Sequence, residues 1–221
     1  MLRSLKSLLA FRVHASDGVL GTVRDLHFGE NTWRLRCFVT HARGHASWQT
    51  IPVPAEAVDA VDWGRHAIHV TLSLGEMGQR PGAGDDSSVY SQVLEQARNH
   101  YAWAPHWSPL GGRPAQRTSQ GSHRLSLRDL VTYDIRTTGG ETGRVCDLIA
   151  DEAAWRLRMI VIGTGPEAVE KQVLAPIDAV RTISVEHRTV QLDLDQGILA
   201  NAPPFDPKHL SAQTARTMHP A

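Results

Sequence analysis

The sequence predicts a mainly β protein: two tandem small antiparallel β-barrels joined by a linker that contains a helix. Three observations carry that prediction. The chain contains an internal duplication at a fixed offset, each copy shows period-two apolar alternation bounded by turn signals, and helical apolar spacing is confined to the stretch between the copies.

The duplication comes first because it organises everything else. Gly18-Val-Leu-Gly21-Thr-Val-Arg-Asp25-Leu26 returns as Gly140-Glu-Thr-Gly143-Arg-Val-Cys-Asp147-Leu148, an offset of 122 residues. Trp33-Arg-Leu-Arg36 returns letter for letter as Trp155-Arg-Leu-Arg158. Pro54, Val58, Val70 and Pro81 correspond to Pro176, Val180, Leu192 and Pro203. The repeated module spans about residues 9 to 81 and again 131 to 203. The chain therefore divides into a first barrel domain (1–81), a linker (82–124), a second barrel domain (125–203) and a disordered tail (204–221).

Within a module, Phe11 and Val13 lead into Ser16-Asp17-Gly18, a hairpin signal because glycine accepts positive φ without steric cost; Thr138-Gly139-Gly140 does the same in the second copy. Val19, Gly21 and Val23 then alternate, but Leu26 and Phe28 fall out of phase, and the same slip separates Val145 from Leu148. A β-bulge near Arg24-Asp25 and its repeat accounts for both. Trp33, Leu35, Cys37 and Val39 read as one core-facing strand, as do Trp155, Leu157, Met159 and Val161. Ile51 and Val53 precede Pro54, which suits the first position of a helical turn reaching Val58. Ile68, Val70 and Leu72 close the module, paralleled by Val190, Leu192 and Leu194. Strands this short cannot cover an apolar face as a flat sheet, so each copy is expected to curl into a closed barrel without free edges.

The order of hairpin glycine, Gly-x-x-Gly-x-Val-x-Asp, Trp-led strand, Pro-containing turn and closing strand, present twice, resembles the PRC-barrel family. That family includes the cytoplasmic domain of the photosynthetic reaction centre H subunit, the C-terminal domain of a ribosome small-subunit maturation factor, and standalone bacterial proteins of unassigned role. The resemblance covers both modules and implies a barrel used for protein contacts rather than turnover. No membrane-spanning helix precedes the first module, so the H-subunit role in proton delivery is not implied for any acidic residue here.

Bulk properties bound the function. The 221 residues are 41% apolar, and 23 Lys+Arg balance 23 Asp+Glu, so no excess positive charge favours a nucleic-acid partner. Cys37 and Cys146 sit at non-equivalent positions and form no metal-knuckle pair, which fits a reducing, cytoplasmic setting. No apolar run approaches a transmembrane length.

The candidate site residues are few. Gly18, Gly21, Asp25, Gly140, Gly143 and Asp147 form the repeated motif; the glycines are expected to serve turns, and the aspartates to accept bonds from amides that the bulge leaves unpaired. His41 with His45, and His100 with His106, are the nearest approach to metal ligands, but His41 and His45 fall in a predicted loop where i, i+4 spacing aligns nothing, and the second copy has Gly163 and Glu167 there. No metal, cofactor or catalytic residue is predicted: no nucleophile elbow or phosphate-binding loop is present.

In the linker, Tyr90, Val93, Leu94, Ala97 and Tyr101 recur at helical spacing, followed by Trp103, Pro105 and Trp107. Tyr101, Trp103 and Trp107 form the candidate partner contact, with packing onto the barrels as the competing role. The expected function is thus a non-enzymatic, protein-binding assembly module, with a homodimer possible if the linker helix keeps its apolar face uncovered. The alternative is a ribosome- or RNA-associated factor using Arg34, Arg36, Arg156 and Arg158.

Overall fold

The computed structural model describes residues 1–30, 32–43, 48–78, 124–164, 171–210 and 213–214. Fourteen strands are found among them: β1 Leu2–Ser4, β2 Arg12–Ala15, β3 Gly18–Gly29, β4 Leu35–Arg43, β5 Trp48–Pro54, β6 Val58–Asp62, β7 Ala67–Val70, β8 Arg124–Ser126, β9 Asp134–Thr137, β10 Gly140–Asp151, β11 Arg156–Thr164, β12 Lys171–Pro176, β13 Val180–Ser184 and β14 Thr189–Leu192. They form two sheets of seven, with paths β5-β4-β3-β2-β7-β6 and β12-β11-β10-β9-β14-β13, so the mainly β, tandem-domain architecture expected from the duplication is present.

Neither sheet closes into a barrel. Each path is open, ending on β5 and β6 in one sheet and on β12 and β13 in the other. The closed-barrel expectation is corrected on this point, and the residues at the break suggest why. Pro52 and Pro54 lie on β5, and Pro176 ends β12; proline has no N–H and so cannot extend a ladder at a free edge. A 3-10 turn then corners the chain at Ala55–Ala57 and at Ile177–Ala179, with the proline just before the turn rather than inside it. The sheets are also not purely antiparallel: β2 pairs with β7, and β9 with β14, in parallel.

The first expected bulge is observed twice, as register shifts between Val23 and Asp25 and between Val145 and Asp147. A second bulge was not foreseen. His27 pairs with Cys37 and Phe28 with Leu35, which leaves Arg36 as the extra residue; Arg158 is the extra residue in the other copy. This corrects the reading of Trp33, Leu35, Cys37 and Val39 as one core face. The inward phase passes from Leu35 to Phe38 and Ala42, and from Leu157 to Ile160 and Ile162, because a bulge reverses the side to which every later residue points. Met159 and Val161 instead pack on the opposite face with Ile149, Leu174 and Leu210.

Two segments depart from the expected boundaries. β1, at the start of the first domain, pairs with β10 of the second sheet, and β8, just before the second copy, pairs with β3 of the first. The copies thus exchange their leading strands. Residues 204–210, read from sequence as part of a disordered tail, carry a 3-10 turn at Pro207–His209 and place Leu210 on the outer face of the second sheet, while Phe205 N–H donates to Gln172 O (2.6 Å). A single apolar cluster, running from Leu5 and Phe28 to Leu157 and Leu192, fills the interior of both halves.

Candidate functional site

The strand exchange brings the repeated aspartates to the two places where one copy grips the other. Asp25 Oδ2 accepts from Ser126 Oγ (2.5 Å), and Oδ1 accepts from the amides of Arg128 (3.1 Å) and Leu26 (2.8 Å). Asp147 mirrors this, accepting from Ser4 Oγ (2.5 Å) and from the amides of Lys6 (3.0 Å) and Leu148 (2.7 Å). The Leu26 and Leu148 amides next to the bulge are the bonds anticipated from sequence. The bonds to the exchanged arm make each carboxylate a latch between copies.

The two latches differ electrostatically. Burial pushes the Asp25 carboxyl up, but the His27 ring 3.2 Å away, together with Ser126 and the Arg128 amide, outweighs it and holds the group below its ordinary value. In the second copy Ile149 stands where His27 does. Burial again pushes Asp147 up, and Ser4, the Lys6 amide and the Leu148 amide offset this only in part, so the group stays above its ordinary value.

Arm residues Ser4, Lys6, Ser126 and Arg128 were missed as functional partners, yet a signal existed. Ser4-Leu5-Lys6 and Ser126-Leu127-Arg128 obey the same 122-residue offset, so the repeat begins earlier than residue 9. Leu5 and Leu127, both fully buried, anchor the arms.

The motif glycines separate into different roles. A Cβ on Gly21 would collide with the carbonyl oxygen of His41, and one on Gly143 with that of Gly163, so both permit close strand approach. Gly140 holds φ at +118°, as its hairpin requires. Gly18 does not adopt a positive φ, which corrects its expected role.

A third contact between copies runs along their shared seam. Leu35 N–H donates to Trp155 O and Leu157 N–H to Trp33 O, both at 2.7 Å, making an antiparallel bridge between Arg34 and Arg156. Trp33 and Trp155 reach it at φ of 52° and 47°, a left-handed backbone uncommon for a bulky side chain, and Phe38 meets Trp155 edge-on at 5.1 Å.

One concavity of about 310 Å³ opens beside the first arm, lined by Arg3, Ser7, Phe11, Trp63, His66 and Leu210 among others. Arg3 lies 4.4 Å over the Trp63 ring, and Glu152 ties the two together, accepting from Arg3 Nε (3.2 Å) and Trp63 Nε1 (2.8 Å). This arrangement braces the arm. Val185 occupies the position equivalent to Trp63, so the brace exists on one side only.

Tyr101, Trp103 and Trp107 lie outside the described residues, as do His45, His100 and His106. His41 is described and stacks against Trp48 with ring centroids 4.7 Å apart. Among the described residues, no group of three His, Cys, Asp or Glu is placed to hold a metal ion, and no helix is long and apolar enough to cross a membrane.

Residues 123–199 match the family model of the PRC-barrel domain, a range that begins beside β8 and takes in all the strands of the second sheet's path. That segment is thus similar to PRC-barrel domains over about a third of the chain. The first half lies outside the match; it shares with the second half the internal repeat and the same strand order. None of the curated proteins matches the chain.

Proposed function

We propose that this protein is a non-enzymatic docking or assembly module, in which two PRC-barrel-type halves form one platform for a protein partner in a reducing, cytoplasmic setting. One observation carries the reading. The polar residues that the duplication keeps at the heart of its motif, Asp25 and Asp147, have their oxygens engaged by the arms, so their retention in both copies is explained by assembly of the two halves rather than by turnover.

The test is affinity capture from native extract, followed by reconstitution with the purified captured protein. A saturable complex of defined mass supports docking. Turnover of a small molecule by the purified chain, with no partner that survives reconstitution, overturns it. Running the capture with Trp103→Ala/Trp107→Ala separates a linker contact from one on the sheets, and the solution mass of the free chain reports a homodimer.

A second reading, a ribosome- or RNA-associated assembly factor, is favoured by the grouping of arginines at the seam. Salt-sensitive RNA binding, lost when those arginines are replaced, would support it.

A further inference from the structure

The seam between the copies has an outer face that none of its contacts accounts for. Arg34 and Arg156 are directly opposed in a non-hydrogen-bonded antiparallel pair, the arrangement that brings facing side chains closest, at about 5 Å between Cβ atoms. Like charges so placed repel. The positions two residues along the opposing chain offer no relief: they are Ala154 and Arg158 for Arg34, and Thr32 and Arg36 for Arg156. Arg34, Arg36 and Arg156 are exposed and Arg158 is half-buried, while Leu35 and Leu157 between them point into the core.

Of the acids in the adjoining turns, Glu30 forms no ion pair among the described residues, and the other two are engaged elsewhere. Asp151 faces the amino terminus, and Glu152 holds Arg3 and Trp63. Among the described residues no ion pair joins any of the four arginines to a carboxylate. Trp-Arg-Leu-Arg is nevertheless the longest run shared letter for letter by the two copies. The tryptophans and leucines have packing duties; of the arginines, Arg36 lays its guanidinium over Gly29, and among the described residues none of the four is paired with a carboxylate.

We propose that Arg34, Arg36, Arg156 and Arg158 form a two-fold symmetric receptor for an acidic segment of a protein partner, with Asp or Glu carboxylates laid across the seam. The guanidinium fork matches a carboxylate in bidentate geometry, and carboxylates between opposed arginines remove the repulsion that the bridge creates. The observations favour a peptide over a nucleic acid because the charge is compact. The chain is neutral overall, and four arginines on one strand pair give no extended track for a phosphate backbone. The inference rests on the docking reading and names the chemistry of the partner's contact.

The experiment is fluorescence anisotropy on the full chain, with a labelled Asp/Glu-rich peptide and a labelled polyuridine RNA of equal charge as probes. Arg34→Gln/Arg156→Gln is compared with the exposed control pair Arg12→Gln/Arg65→Gln, after matched thermal melts establish that each folds. The expected result is saturable peptide binding, weakened roughly tenfold or more by the seam pair and unchanged by the control pair. Arg34→Lys/Arg156→Lys keeps the charge and loses the fork, so an intermediate loss is expected. Absence of peptide binding, equal loss in both pairs, or seam-dependent RNA binding tighter than peptide binding would overturn the proposal. A reconstituted protein partner that binds the seam variant as well as the parent overturns it too, and leaves the docking reading standing.

Discussion

Asp25 and Asp147 make the same hydrogen bonds to the exchanged arms, and deeper burial of Asp147 together with the His27 ring beside Asp25 separates their titration. Asp147 lies above its ordinary value of 3.8, so its contribution to stability is fully present below that pH and is lost as the pH rises through its raised value. Asp25 lies below 3.8; its contribution is present above that pH and is lost as the pH falls through its lowered value. Asp147→Asn retains an acceptor for both amides and should change stability by under about 1 kcal/mol at neutral pH while flattening the profile above pH 3.8. Asp25→Asn removes a carboxylate paired with His27 and should cost about 1–2 kcal/mol. Urea unfolding midpoints across pH would read both, and equal losses in the two variants would contradict the asymmetry. His27→Ile should convert the first latch into a likeness of the second, raising the Asp25 titration as followed by carboxyl chemical shifts.

At the scale of elements, the exchanged arms are short strands held more by burial than by length. Leu5 and Leu127 are fully buried at equivalent positions, and each arm also carries the serine that reaches the latch. Leu5→Ala and Leu127→Ala should each cost about 2–5 kcal/mol, measured as a shift in the chemical denaturation midpoint. A loss well below that range would show the arms to be dispensable. The close approach of β3 to β4, and of β10 to β11, depends instead on missing side chains. Gly21→Ala and Gly143→Ala force a methyl against a backbone carbonyl that cannot swing away, and each should destabilise by about 1–3 kcal/mol or more in the same assay. Ala at Gly75, where nothing lies within 4 Å of the added methyl, serves as the control.

The described residues form two sheets around one shared interior. Leu5, Leu8, Leu125 and Leu127 contribute to the same apolar cluster as both sheets, the arms cross in both directions, and the Arg34–Arg156 bridge joins the seam. Neither half keeps its full complement of strands without the other. The chain should therefore unfold in one transition, with calorimetric and van't Hoff enthalpies equal; two resolved transitions would mean that the halves are independent domains. One cooperative unit also suits the proposed receptor, because two arginines from each half hold a fixed spacing only while the seam stays closed.

Much of this architecture is legible in the residues themselves. Repetition at 122 residues establishes two equivalent halves, and the phase slip from Val23 to Leu26, repeated from Val145 to Leu148, locates a bulge, because alternation records which side of a strand is apolar. The second bulge at Arg36 and Arg158 was hidden because Cys37 and Val39, like Met159 and Val161, are buried too, so the strand is apolar on both faces and its phase cannot be read. The latch partners were visible only as an unremarked Ser-Leu-Lys and Ser-Leu-Arg repeat. By itself the sequence determined the duplication, the strands and most of their inward residues, which are properties of local pattern. The tertiary structure decided that the leading strands trade sheets, that the sheets stay open and that Arg34 and Arg156 face each other at the seam. A strand has the same alternation whichever sheet it joins, and that choice is made by contacts more than a hundred residues away in the chain.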